Sequence, residues 1–264
     1  MYDSNPLQTG AGGRGWEQTM NFFRYASLAL LMAATPAFAQ FTIPSYAISS
    51  GDLSGSSRWF WTHDGKTPGS SVGSSQYPIA SPSLDGLARE FSVSFSEDGG
   101  ERFSLSFARD TEATHFVYDT WVYIVDPSQL ANLELDMNQV MANGDTVLYG
   151  FQCSVYSHSW EYATRKGITP GWHSTSLPCN PQTWTANAWH HIQIASHRDS
   201  IGHVTYDWVG LDGTNKVIHD ASGKGEADLH WAPGDLLLNF QVDGYNHNSS
   251  SVQIYADELT IYRW

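Results

Sequence analysis

The strict alternation of apolar and polar residues in Leu133-Glu134-Leu135-Asp136-Met137-Asn138 constrains this chain more than any other feature. A period of two is the period of a β-strand. Leu133, Leu135 and Met137 therefore point into a core. Glu134, Asp136 and Asn138 form a row on the opposite face. A plain surface strand carries mostly Ser, Thr or Lys there. Two carboxylates and an amide in one row are groups suited to holding or cutting a sugar.

The same period recurs along the chain. Phe91, Val93 and Phe95 alternate with serines, and Phe103, Leu105 and Phe107 repeat the pattern. Further strands are predicted over 116–125, 131–139, 146–155, 188–197, 203–211, 235–243 and 251–262. Glu97-Asp98-Gly99-Gly100, Asn143-Gly144, Asp212-Gly213 and Asp243-Gly244 carry turn chemistry. No stretch has a helical period and no internal repeat is present. Many short strands with frequent turns imply an all-β protein, a two-sheet antiparallel β-sandwich.

The first 39 residues read as material outside that fold. Arg24, the short apolar run Leu28-Ala29-Leu30-Leu31-Met32-Ala33-Ala34 and the closing Ala37-Phe38-Ala39 have the layout of a cleavable secretory signal. The run is too short to span a bilayer. The natural start of the region that carries Arg24 is Met20, so residues 1–19 read as a non-native start. Cleavage after Ala39 leaves 225 of the 264 residues and a secreted or periplasmic protein with no membrane span in the mature chain. Residues 40–85 are rich in Ser, Gly and Pro, yet they hold Trp59-Phe60-Trp61 and Tyr77-Pro78-Ile79. A flexible linker has little use for such residues, so 40–85 are expected to form an N-terminal strand and an ordered loop packed on the domain. Residues 86–264 are the expected sandwich core.

The formal charge of −14 repels nucleic acid and anionic lipid, and no basic stripe offsets it. It also disfavours strongly acidic glycans. The two cysteines, Cys153 and Cys179, are expected to pair in an exported protein, the alternative being two buried thiols. They lack the spacing of a metal site. His190 and His191 point to opposite sides of one strand and cannot share an ion. No metal site, cofactor, Ser-His-Asp arrangement or phosphate loop is predicted.

Several strands present polar outer rows. Asn239, Gln241 and Asp243 alternate with Leu238, Phe240 and Val242. Trp189, His191, Gln193 and His197 lie opposite Ile192 and Ile194. Gln152 joins the polar set beside Gly150, whose missing side chain is expected to leave room for a ligand. Trp121 and Tyr123 share one face and offer stacking platforms. Sugars need this mixture, because ring faces stack on aromatic rings while hydroxyls pair with amides, imidazoles and carboxylates. Glu134, Asp136, Gln152, His191, Gln193, Asn239 and Gln241 are therefore expected to face one concave surface. The alternative is an antiparallel sheet with one wet face.

Trp189-His190-His191-Ile192-Gln193-Ile194, Val209-Gly210-Leu211-Asp212-Gly213 and Tyr255-Ala256-Asp257-Glu258-Leu259-Thr260-Ile261-Tyr262 resemble strands of the concanavalin A-like lectin and glucanase superfamily, which includes laminin-G-like domains. The resemblance covers about residues 86–264. It implies a jelly roll with glycans bound on the concave sheet or at its edge loops. A structural calcium ion is common in that superfamily, but no carboxylate loop specifies one here.

The strand from Glu134 is also similar to the E-x-D-x-E strand of family 16 glycoside hydrolases. That resemblance implies Glu134 as nucleophile and Asp136 as auxiliary. Asn138 and Gln139 stand where the acid/base carboxyl would be, and neither can donate its proton. Asp136 or His191 would have to replace it. His191-Ile192-Gln193 reverses the Q-x-H pair of alginate lyases in the same superfamily, but Glu134, Asp136 and Asp243 would repel a uronate. The chain is thus expected to bind a neutral or weakly charged polysaccharide or oligosaccharide. A retaining glycosidase acting on a β-glucan-like polymer is the alternative, followed by a lyase or a structural or adhesion domain.

Overall fold

A computed structural model of the chain describes residues 42–166, 169–245 and 249–264, so the expected leader lies outside the described residues. The strands in chain order are β1 (Ile48–Ser50), β2 (Phe60–His63), β3 (Ser70–Ile79), β4 (Ala88–Ser96), β5 (Gly100–Arg109) and β6 (His115–Ile124). Next come β7 (Leu130–Val140), β8 (Asp145–Tyr149), β9 (Phe151–Ser154), β10 (Ser159–Lys166), β11 (Thr169–Pro178) and β12 (Trp189–Arg198). The last are β13 (His203–Leu211), β14 (Thr214–Val217), β15 (Ser222–Lys224), β16 (Glu226–Asp228), β17 (Asp235–Gly244) and β18 (Ser250–Arg263).

These strands form two antiparallel sheets. The first runs β14-β13-β12-β6-β18-β4-β3, with β1 paired to β18 and β15 to β13. The second runs β11-β10-β9-β7-β17-β5-β2, with β8 paired to β7 and β16 to β8. The architecture is the two-sheet β-sandwich that the alternation predicts.

The core lies between the sheets and is made by the predicted inward rows. Leu133, Leu135, Met137, Ile192, Leu238, Phe240 and Val242 are all buried there. Phe91 sits at its centre, with ring centroids 4.8 Å from Phe103 and 4.9 Å from Phe240, so it joins the two sheets. The segment before β4 is integrated with this core. Trp59 packs edge-on to Phe91 at 5.1 Å, and its indole N–H donates to the Leu53 carbonyl. The buried Arg89 guanidinium donates to the Ser56 carbonyl at 2.7 Å and also to that of Ser54.

Two expected turns differ in use. Glu97 and Asp98 both adopt left-handed backbone, as a tight turn requires, but the turn carries the chain from β4 in one sheet to β5 in the other. Asp243-Gly244 is no turn; both residues belong to β17. A Cβ at Gly244 would lie 2.3 Å from the Phe95 ring, so glycine is there to let the other sheet approach.

Cys153 and Cys179 form a disulfide with Cα atoms 5.4 Å apart. It ties β9 to the segment after β11.

Candidate functional site

The outer face of the second sheet carries a cleft of about 710 Å³, within the range of small-ligand sites. Its floor follows from strand register. Arg102 on β5, Gln241 on β17, Glu134 on β7, Gln152 on β9 and Glu161 on β10 stand in one line across five adjacent strands. At sheet spacing that line is about 19 Å long. Ser104, Asn239 and Asp136 make a second line, and Asp243, Asn132 and Ser154 a third. Asp64, Asp98, Tyr156, Trp172 and Trp231 come from surrounding elements to wall the floor.

A wet sheet face would be exposed, and this one is not. Glu134 and Asp136 are each 8% exposed, Gln152 3% and Asn138 1%. β7 is therefore buried on both faces, one against the apolar core and one beneath the cleft. Buried polar groups are ordinarily hydrogen-bonded. Here neither the Oδ1 nor the Nδ2 of Asn138 has a partner in the protein, and Gln152 Oε1 and Asn132 Oδ1 also lack one. All three residues line the cleft.

The carboxylates are held by amides. Gln241 Nε2 lies 3.0 Å from Glu134 Oε1, 3.0 Å from Asp243 Oδ1 and 3.2 Å from Asp64 Oδ2. An amide nitrogen has two hydrogens, so it cannot serve all three oxygens at once. Asn132 donates to Asp243 Oδ2 at 3.2 Å. The Asp136 carboxylate accepts the Phe151 backbone N–H at 3.0 Å, filling the break in the ladder between β8 and β9. Arg102 approaches Asp64 at 3.6 Å and supplies cationic charge at one end of the central line.

This environment shifts the acids. Burial, reinforced by Asp136, Asp243 and Asp64, holds the Glu134 carboxyl well above the usual carboxylate range, with Arg102 opposing. Burial also pushes Asp243 up to about 6, against the stabilising donors Asn132 and Gln241. A nucleophile must be ionised, so the environment of Glu134 opposes the role implied by the family 16 resemblance.

The expected single surface divides in two. Glu134, Asp136, Asn138, Gln152, Asn239, Gln241 and Asp243 belong to the second sheet and line the cleft. Trp121, Tyr123, Trp189, His191 and Gln193 belong to the first sheet, on β6 and β12. His191 and Glu134 therefore lie on opposite sheets, and His191 cannot act as the acid partner of Glu134. The reason is that alternation assigns each side chain to a face of its strand, whereas long-range pairing assigns the strand to a sheet.

On the first sheet, His191 stacks on Trp121 with ring centroids 4.4 Å apart and planes 6° from parallel. His191 Nε2 and Gln193 Nε2 each lie 2.7 Å from one oxygen of Asp119, so that carboxylate orders both side chains. Tyr123 meets Trp189 edge-on at 5.5 Å. A separate depression of about 410 Å³ adjoins Trp121 and His191.

Gly150 does not leave ligand space. A Cβ there would lie 2.7 Å from Ala163 Cβ and 3.5 Å from Trp172 Cη2, so the missing side chain admits β10 and the Trp172 ring. Among the described residues, no group of three or more His, Cys, Asp or Glu side chains is arranged to hold a metal ion.

Several cleft residues were not singled out in the sequence. Arg102 was legible, since it stands out of phase with the apolar Phe103 and Leu105. Glu161 and Trp172 lie on β10 and β11, whose alternation is interrupted and which were not predicted as strands. Asp64 lies in the loop after β2 and has no periodic signal.

No family profile and no curated protein matches the chain. Solved structures do. "Cellulose induced protein, Cip1" aligns at 13% identity and TM-score 0.46, over 81% of this chain and 96% of that one. The family 11 carbohydrate-binding module of the cellulosomal cellulase Lic26A-Cel5E of Clostridium thermocellum aligns at 11% identity and TM-score 0.39, over 84% and 95%. A structure from a study of carbohydrate-binding modules of the β-sandwich superfamily aligns at 10% identity and TM-score 0.39, over 78% of this chain and 56% of that one. These likenesses concern the chain path.

Proposed function

We propose that this protein binds a polysaccharide or oligosaccharide free of acidic groups in the cleft of the second sheet. The observation that carries this reading is the Asn138 amide. It is buried on the cleft floor with donor and acceptor both unpartnered, an arrangement that costs stability unless a ligand meets it. Sugar hydroxyls donate and accept, so they match the mixed amide and carboxylate floor. Trp172, Trp231 and Tyr156 offer ring faces along its walls. Delivery outside the cell is part of the proposal, supported by the leader-like residues 1–39 and the disulfide.

A glycan array probed with the chain from Gln40 tests the reading. Binding should appear on non-acidic polysaccharides and fall roughly tenfold or more in Asn138→Leu, which cannot hydrogen-bond. An array without signal, or binding indifferent to Asn138→Leu, would reject it.

One observation favours a second reading, hydrolysis. Glu134, which burial and its acidic neighbours hold well above the usual carboxylate range, and Asp243, pushed up to about 6, share the Gln241 amide, and paired carboxyl groups are the equipment of acid-and-base chemistry. Release of reducing ends that vanishes in Glu134→Gln while binding persists would select it.

A further inference from the structure

We propose that the glycan held in this cleft carries free amino groups, as a polymer of glucosamine does. The inference rests on the reading of the cleft as a carbohydrate site and narrows it to a cationic sugar. The argument begins with charge. Six carboxylates line the cleft, namely Asp64, Asp98, Glu134, Asp136, Glu161 and Asp243, against two cations, Lys66 and Arg102. Three of the six converge on one amide nitrogen that has too few hydrogens for them, so the donor supply of the floor is short.

The cationic charge of the central line stands at one end of it. Arg102 approaches Asp64 at one end of the central line, whereas Glu134 and Glu161 continue that line away from it. A neutral sugar would give these carboxylates hydroxyl donors but leave their charges desolvated and uncompensated. An ammonium group supplies three donors and the missing charge together. The second observation is independent of the acids. Asn138 and Gln152, both more than nine-tenths buried, line the same cleft and hold amide atoms with no partner in the protein. Those atoms match the neighbouring hydroxyls of a sugar ring, which a simple cation lacks.

An ammonium bound here also favours ionised carboxylates. Glu134 and Asp243, both raised by burial, would release protons as the ligand binds.

The test compares three β-1,4-linked oligomers of equal length, built from glucosamine, N-acetylglucosamine and glucose. Calorimetry is run on the chain from Gln40 at a pH where the amine is protonated. The glucosamine oligomer should bind roughly ten- to hundredfold more tightly than the other two, the range of one or two charge-assisted hydrogen bonds. Its heat should differ between buffers of different ionisation enthalpy, reporting proton release. The preference should shrink in Glu134→Gln and Asp243→Asn, each of which removes one charge from the cleft. Equal or tighter binding of the glucose or N-acetylglucosamine oligomer overturns the amino-sugar assignment and leaves the carbohydrate reading intact. A preference undiminished in both variants also overturns it, because it then reports adsorption of a polycation to the −14 surface. Failure of all three oligomers overturns the assignment, and the glycan array decides separately whether the carbohydrate reading survives.

Discussion

Gln241 stands directly opposite Glu134 on the neighbouring strand, and its amide nitrogen donates to Glu134 Oε1 at 3.0 Å. The same nitrogen reaches Asp243 and Asp64, so one neutral side chain holds the acidic floor together. Gln241→Leu removes that donor and leaves buried carboxylates without it. The variant should lose about 1–3 kcal/mol of stability, and more above pH 6 than at pH 4 because ionised acids need the donor most. Urea unfolding at the two pH values checks this. An equal loss at both would mean that Gln241 contributes packing only.

Asp243 supplies a pH prediction with a definite sign. Its pKa is about 6 in the fold and about 3.9 in an unfolded chain. The folded state therefore binds more protons between those values. The contribution of Asp243 to stability is most favourable below about pH 4, declines as pH rises to 6 and is constant beyond. Asp243→Asn should raise stability at pH 7 by on the order of 1–3 kcal/mol and leave it unchanged near pH 3.5. Thermal unfolding of both proteins across this range tests it; a variant less stable than the parent at pH 7 would contradict the assignment.

The division of the polar residues between two sheets predicts opposite effects of two tryptophans. Trp172→Ala should weaken glycan binding roughly tenfold by removing a ring from the cleft wall. Trp121→Ala lies on the other sheet and should change affinity less than about twofold, within the scatter of distant sites. The reverse pattern in a binding titration would move the ligand to the first sheet.

The bridge between Cys153 and Cys179 spans 26 residues. Its removal in the double Ala variant should cost about 3–4 kcal/mol in the chain-entropy model. Denaturant unfolding measures this, and a loss below about 1 kcal/mol would show that the unfolded chain is already restricted there.

Gly150→Ala should destabilise by about 1–3 kcal/mol, because its Cβ meets Ala163 at 2.7 Å. Since the Trp172 ring sits over the same spot, glycan affinity should fall as well. A stable variant with unchanged affinity would show that β10 yields easily.

The sequence alone determined which side chains leave each strand on which side. In β7, Leu133, Leu135 and Met137 are in the core and Glu134, Asp136 and Asn138 are not, because successive residues of a strand alternate. The pairing of the two cysteines was legible too, since a chain with two of them has one internal bridge to make. Only the tertiary structure decided that Glu134 and His191 lie on different sheets, that Trp172 and Glu161 join Glu134, and that β7 is buried on both faces. Strand pairing depends on partners far apart in the chain, such as β7 with β17 and β12 with β6. Local periodicity carries no record of those partners: it assigns a residue to a face, and long-range packing decides what that face meets.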